Sequence, residues 1–277
     1  MSVEITAIQR GCVYDGEGIR TTVFLRGCAL RCPWCCNPET WSDEKLFFDK
    51  SKCLHFSGQK SMLCTNCEIT GGEKDKRECP FGAVVPSHRQ IPIDELLEIC
   101  LKDKELYKTS HGGVTFSGGE PILQANNLLP LLEGLKENEV NICFETTLIA
   151  PSELIDSILP FTDSLIIDLK LQPVSVGQGP LYDDDIKVAL NSIPGRIGKR
   201  FRLVFIDDML RDVAEIASRL KTMKIDNIEL LRAHNLGEGK YRKLGLNSKD
   251  YSARPELLAF FASELSHAGI STSVLSL

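Results

Sequence analysis

Short apolar runs alternate with longer amphipathic stretches along most of this chain. The runs Thr22–Leu25, Val114–Phe116, Asn141–Glu145, Ser164–Leu169, Arg202–Ile206 and Asn227–Leu231 are brief and rich in Val, Ile, Phe or Thr, as strands buried in a parallel sheet would be. Between and after them, Pro92–Leu106, Asn126–Glu137, Pro151–Leu159, Asp184–Ser192, Met209–Met223 and Pro255–His267 read as helices. In the first helix Asp94, Glu95 and Glu98 load the opening turns with acid, as the helix dipole favours. Its apolar stripe is Ile93, Leu96, Leu97 and Cys100. Strands alternating with helices predict an α/β fold on a parallel sheet. The expected form is a partial (β/α)6 TIM-like barrel whose site lies at the strand C-termini. A flat doubly wound sheet has the same alternation.

Residues 50–86 break the rhythm. This stretch carries Cys53, Cys64, Cys67 and Cys79, many glycines and lysines, and almost no apolar periodicity. It buries little core of its own, so a covalent or metallic staple is expected to hold it. The predicted organisation is therefore a main domain of residues 1–49 and 87–277 with a small cysteine-rich insert at 50–86.

Composition narrows the function. Of 277 residues 43% are hydrophobic and 25% charged, and the net charge of −6 argues against nucleic-acid binding through a broad basic surface. No run of about 18 apolar residues offers a membrane span. The start, Met1-Ser2-Val3-Glu4-Ile5, lacks the features of a secretory signal, so a cytoplasmic protein is expected. Eleven cysteines, an odd number, point to metal or redox chemistry rather than a disulfide framework. Of these, Cys12, Cys100 and Cys143 lie in apolar or strand contexts and read as small packing residues.

Cys28, Cys32 and Cys35 follow the first candidate strand at C-x3-C-x2-C spacing. Thiolates are soft ligands, and three on one loop suit three corners of a [4Fe–4S] cubane, leaving one iron open. A closed zinc site would need a fourth donor, and the adjacent Cys36 is poorly placed to be one. Downstream, Thr115-Phe116-Ser117-Gly118-Gly119-Glu120-Pro121 follows the next strand. Its glycines permit close backbone approach to a ligand, and Glu120 suits an ammonium.

This cysteine loop, with Gly118-Gly119-Glu120 one strand later, resembles the cluster loop of the radical S-adenosylmethionine (radical SAM) superfamily. A closer resemblance runs through Asp15-Gly16-Glu17-Gly18-Ile19-Arg20, Asn37-Pro38-Glu39-Thr40-Trp41, Asp168-Leu169-Lys170 and His234-Asn235-Leu236-Gly237. These segments are similar, in order and spacing, to activating enzymes of glycyl-radical enzymes. The resemblance implies that Cys28, Cys32 and Cys35 hold a catalytic [4Fe–4S] cluster. It further implies that Trp34, Cys36, Asn37, Gly118, Gly119, Glu120, Asp168, Leu169, Lys170 and His234 contact S-adenosylmethionine. Lys170 and His234 suit its carboxylate, and Trp34 its adenine. Glu145, Thr146 and Asp168 fall where the family assembles a monovalent-cation site. Asp15 and Arg20 are expected to position a loop of the partner enzyme.

The resemblance also implies that the insert is ferredoxin-like, with Cys53, Cys64, Cys67 and Cys79 holding an auxiliary [4Fe–4S] cluster. A zinc ribbon is the alternative, with His55 able to replace one cysteine. The implied partners are a glycyl-radical enzyme and a flavodoxin or ferredoxin-type electron donor. The chain departs from the family at Leu171–Tyr182, at Phe205-Ile206-Asp207-Asp208 and at Leu148, all on loops that would face the hydrogen donor. A radical epimerase or dehydrogenase acting on a small molecule such as a sugar therefore stays open beside the activase. An electron carrier without catalysis is a third reading, which the Gly-Gly-Glu and Asp-Leu-Lys segments disfavour.

Overall fold

The computed structural model describes residues 1–59, 64, 79–171 and 182–275. All six runs expected as strands pair in one sheet. Strand β1 (Ser2–Cys12) lies antiparallel to β2 (Arg20–Leu25). A small antiparallel pair, β3 (Leu46–Phe48) and β4 (Val84–Pro86), brackets the cysteine-rich insert. After it come β5 (Arg89–Pro92), α1 (Ile93–Leu101), α2 (Lys104–Ser110), β6 (Gly113–Gly118), α3 (Ala125–Glu137), β7 (Asn141–Thr146), α4 (Ser152–Ile158) and β8 (Ser164–Leu169). The chain continues through α5 (Tyr182–Ser192), β9 (Gly198–Phe205), α6 (Val213–Thr222), β10 (Asn227–Arg232), α7 (Glu238–Leu244), α8 (Pro255–His267) and β11 (Ser271–Leu275).

The sheet has nine strands in the order β11-β10-β9-β8-β7-β6-β2-β1-β5. From β2 to β11 every neighbouring pair is parallel, while β1 and β5 add an antiparallel edge. This is an α/β fold on a mostly parallel sheet, and among the described residues no ladder joins β11 to β5. Strand interiors are apolar because helices cover them. Leu128, Leu131, Leu132 and Leu135 of α3 are fully buried at helical spacing, Phe116 meets Phe144 at 5.1 Å, and Phe205 meets Phe261 of α8 at 4.9 Å.

Two expected helices are each divided. Pro92–Leu106 breaks before Asp103, which leaves the helix to accept from Arg10 of β1 and from Thr21 Oγ1 of β2 at 3.1 Å. Tyr107 Oη donates to the same Thr21 hydroxyl at 2.6 Å. Met209–Met223 begins as a 3-10 turn, Asp207–Asp212, before α6 takes over. No helix among the described residues is long and apolar enough to cross a membrane.

Candidate active site

The sheet delivers its polar residues to one end. The cysteine loop leaves the C-terminus of β2; Ser117 and Gly118 end β6, Glu145 and Thr146 end β7, Asp168 nears the end of β8, and His234 follows β10. All of these line one open cleft of about 230 Å³, together with Cys28, Cys32, Cys35, Trp34, Cys36, Asn37, Gly119 and Lys170. Parallel strands put their C-termini on the same side, which is why residues so far apart in sequence meet there.

The cysteine loop is a tight turn. Cys35 N–H donates to the Cys32 carbonyl at 3.0 Å, and Asn37 N–H donates to Cys35 Sγ at 3.3 Å. Burial pushes the Cys28 and Cys32 thiols up to about 11, and Lys170 opposes this at both. Burial also raises Cys35, against the Asn37 N–H and the Trp41 indole. Such thiols stay protonated until a metal displaces the proton. Among the described residues no three His, Cys, Asp or Glu side chains converge on a point that one ion would fill.

Gly118 and Gly119 serve the fold before any ligand. At Gly118, with φ of +106°, a Cβ would stand 2.5 Å from the Leu25 backbone; at Gly119 it would stand 2.0 Å from the Gly27 carbonyl oxygen. Their bare backbones dock β6 against the root of the cysteine loop, through Gly119 N–H to Leu25 O and Glu120 N–H to Gly27 O at 2.7 Å. Gly119→Ala is therefore expected to displace that root and lower iron uptake on anaerobic reconstitution by about tenfold, the scale of a lost supporting contact. Wild-type iron content in that variant would contradict the docking role.

Glu120 does not face the cleft. It is 1% exposed, and its carboxylate accepts from Ile122 N–H, from Thr146 Oγ1 at 2.6 Å, and from Thr147 N–H and Oγ1 at 2.8 and 2.7 Å. Burial raises its pKa, and these donors oppose the shift. Its acceptor sites are spent locking the β6 and β7 loops together, so an ammonium ligand finds none of them facing it. Any Leu169 contact with the cofactor falls to its main chain, because its side chain points away from the cleft. It is fully buried, while Asp168 and Lys170 on either side line the cleft, as alternation along an extended chain requires.

The residues of the expected cation site also pair with the protein's own groups. Glu145 accepts from Ser117 Oγ at 2.7 Å and from Arg202 Nη1 at 2.6 Å. Thr146 Oγ1 is held by Glu120 and by Leu148 N–H, and Asp168 Oδ2 pairs with Lys170 at 2.6 Å. Of these side-chain oxygens, only Asp168 Oδ1 is buried without a partner. Asp15 and Arg20 also differ from expectation, for neither lines the cleft. Arg20 begins β2 at the far end of the sheet, is 1% exposed, and donates to Thr115 Oγ1, Val114 O and Asn141 Oδ1. Asp15 accepts from Thr22 Oγ1 at 2.5 Å.

Residues 172–181 and Cys67 lie outside the described residues, so neither the departure after Lys170 nor the complete insert set is visible. Cys53 is buried, and Cys64 and Cys79 are half-buried. Cys12, Cys100 and Cys143 are buried in the sheet and α1 as expected. The roles of Arg202, Ser117 and Trp41 at the site were not anticipated from the sequence. An arginine inside the apolar run Arg202–Ile206, and a glutamate inside Asn227–Leu231, were the available signals, because buried charges in strands need partners.

Does the cleft suit S-adenosylmethionine and a cluster? Three residues lining it carry a buried atom without a partner, the acceptor Asp168 Oδ1 and the donors Trp34 Nε1 and Trp41 Nε1. Lys170 supplies a cation for a carboxylate, and the three soft thiols suit iron. Fold and site together thus define an iron–sulfur enzyme that works at the C-terminal edge of a parallel sheet. The profile of the 4Fe-4S single cluster domain matches residues 14–172. A (2S)-3-sulfopropanediol dehydratase activating enzyme of Klebsiella oxytoca is 31% identical over 275 residues, covering 87% of this chain and 85% of that protein. The pyruvate formate-lyase 2-activating enzyme of Escherichia coli K12 is 33% identical over 250 residues, covering 86% and 80%. In fold, Streptococcus suis SuiB bound to its precursor peptide SuiA matches with a TM-score of 0.52 at 12% identity, covering 90% of this chain and 46% of that one. The chain belongs to the radical SAM family of glycyl-radical enzyme activating enzymes.

Proposed function

We propose that this protein activates a partner glycyl-radical enzyme by removing a hydrogen atom from the Cα of one backbone glycine. The observation that carries the reading is the shared cleft: three thiols of one loop open onto the same space as Lys170, His234 and the unpartnered Asp168 Oδ1. When bound, the cluster and S-adenosylmethionine supply, on one-electron reduction, the 5′-deoxyadenosyl radical that takes the hydrogen. Cys28, Cys32 and Cys35 hold the cluster, leaving one iron for the methionine end of the cofactor. Lys170 pairs with its carboxylate, Asp168 Oδ1 accepts from a cofactor donor, His234 lies against Cys36, and the Trp34 face closes the cleft beside Tyr251. Glu145, Thr146 and Asp168 line the same end of the cleft, and each carboxylate oxygen there keeps a lone pair, so a monovalent cation beside the cofactor carboxylate stays part of this reading.

The same proposal takes residues 1–49 and 87–277 as a partial (β/α)6 TIM-like barrel and 50–86 as a ferredoxin-like insert. Cys53, Cys64, Cys67 and Cys79 hold an auxiliary [4Fe–4S] cluster there. A cytoplasmic flavodoxin or ferredoxin delivers the electron. Double replacement of Cys64 and Cys67 by alanine tests the insert and is expected to halve the iron of reconstituted protein. The activity itself is tested with candidate glycyl-radical enzymes carrying Cα-deuterated glycine. A glycyl radical on the partner by electron paramagnetic resonance, with deuterium recovered in 5′-deoxyadenosine, is expected. A sugar or similar small molecule that alone stimulates cofactor cleavage and donates its deuterium would overturn the assignment.

A further inference from the structure

One wall of the cysteine loop packs against α7, and three buried polar atoms there have no partner: Glu39 Oε2, Trp41 Nε1 and the Tyr241 hydroxyl. The Trp41 and Tyr241 rings meet edge-on with centroids 6.2 Å apart. Arg31, from within the cysteine loop, lies over the Trp41 ring at 5.1 Å from its centroid. An indole N–H buried beside thiols and without an oxygen or nitrogen acceptor has sulfur as its available partner.

The loop is also anchored through Asn37, whose N–H donates to Cys35 Sγ at 3.3 Å. Asn37 is held on two sides. Thr40 Oγ1 donates to its carbonyl at 2.7 Å, and Lys240 Nζ donates to its Oδ1 at 2.7 Å. The same ammonium pairs with Glu39 Oε1 at 2.6 Å, where the carboxylate side chain is only 6% exposed. A carboxylate buried that deeply needs a cation, so Lys240 is fixed in place by the charge it neutralises. The helix that carries Lys240 cannot drift from the loop either. Gly237, just before α7, sits so close that a Cβ would stand 3.0 Å from Cys36 Cα.

We propose that Lys240 and Trp41 are positioning residues that set the reduction potential of the catalytic cluster: Lys240 holds the Asn37 N–H on the sulfur of Cys35, and the unpartnered Trp41 indole N–H donates to that sulfur once it is a cluster-bound thiolate. The inference rests on Cys28, Cys32 and Cys35 being the cluster ligands. Donors on a ligating sulfur withdraw charge from the cluster and favour its reduced form. A radical SAM enzyme must take up one electron at low potential, so these contacts decide how fully a given donor reduces it.

Two variants separate this role from folding. Trp41→Phe keeps the ring and removes the N–H. Lys240→Met with Glu39→Gln removes one positive and one negative charge together, leaving no unpaired buried ion while freeing Asn37. The midpoint potential is read by titrating the part of the resonance signal that responds to S-adenosylmethionine, with iron content and thermal melting measured alongside. Each variant is expected to show about a tenfold lower ratio of reduced to oxidised cluster at a fixed poise, a shift of about 60 mV to more negative potential for a one-electron couple. Lys240→Arg, which keeps the charge and the donors, is expected to stay at the wild-type value. Unchanged potentials in both altered proteins at wild-type iron content would overturn the proposal. Absence of any cofactor-responsive signal in the unaltered protein is a different result, and it would remove the ligand assignment and this inference together.

Discussion

Cys32→Ala protein, reconstituted with iron and sulfide and reduced with dithionite, is expected to form no detectable 5′-deoxyadenosine from S-adenosylmethionine. In the proposed reading the three thiols of the loop are the whole protein ligand set of the cubane, and two do not hold three corners. The effect is not one of folding. Cys32 is 8% exposed and its main-chain carbonyl, which accepts from Cys35 N–H at 3.0 Å, survives the substitution. Losing one buried sulfur costs about 1 kcal/mol, a shift of about 2–4 °C in melting for a chain of this size. A variant that melts near wild type, keeps the insert's iron and makes no 5′-deoxyadenosine would match the reading. Undiminished cleavage by the same protein would end it.

Much of this site was legible in the sequence because its parts are local. A C-x3-C-x2-C loop places three thiols on one turn whatever the rest of the chain does, and Asp168 and Lys170 share a face because strands alternate. Six of the seven described parallel strands were legible for the same reason, as short apolar runs bounded by amphipathic helices, and β11 was not. What escaped were features fixed by partners far away in sequence. Strand β1 mixes Glu4, Gln9 and Arg10 with apolar residues, because as a near-edge strand it buries only part of each face. Asp103 breaks a continuous helical pattern because Arg10 and Thr21, on other strands, claim its carboxylate. Glu120 was read as a ligand for an ammonium, and no local pattern tells a carboxylate facing a cofactor from one facing Thr146 and Thr147. Arg20 was misjudged in the same way. The motif around it is a loop, but the arginine belongs to the strand and points into the fold.

Arg202→Met is expected to destabilise the fold by about 3–5 kcal/mol, the cost of leaving a buried charge without its partner, against a total stability of about 5–15 kcal/mol. The guanidinium is 4% exposed and serves three elements at once: Glu145 of β7 at 2.6 Å, Glu229 of β10 at 3.0 Å, and the Tyr14 carbonyl at 2.9 Å. Without it Glu229 keeps Arg200 at 3.6 Å, whereas Glu145 keeps only the Ser117 hydroxyl. The penalty therefore falls on Glu145. Burial already raises its pKa and Arg202 is the main opposing influence, so the substitution raises it further. A carboxyl whose folded pKa lies above its unfolded value binds more protons in the native state, and stability then falls as pH rises. Urea melts are thus expected to show a larger deficit relative to wild type at about pH 8 than at about pH 5.5. Adding Glu145→Gln should recover most of the loss at the higher pH, since the amide keeps the Ser117 contact and carries no charge. A deficit that is equal at both pH values and untouched by Glu145→Gln would show instead that Arg202 stabilises through Glu229 and the Tyr14 carbonyl alone.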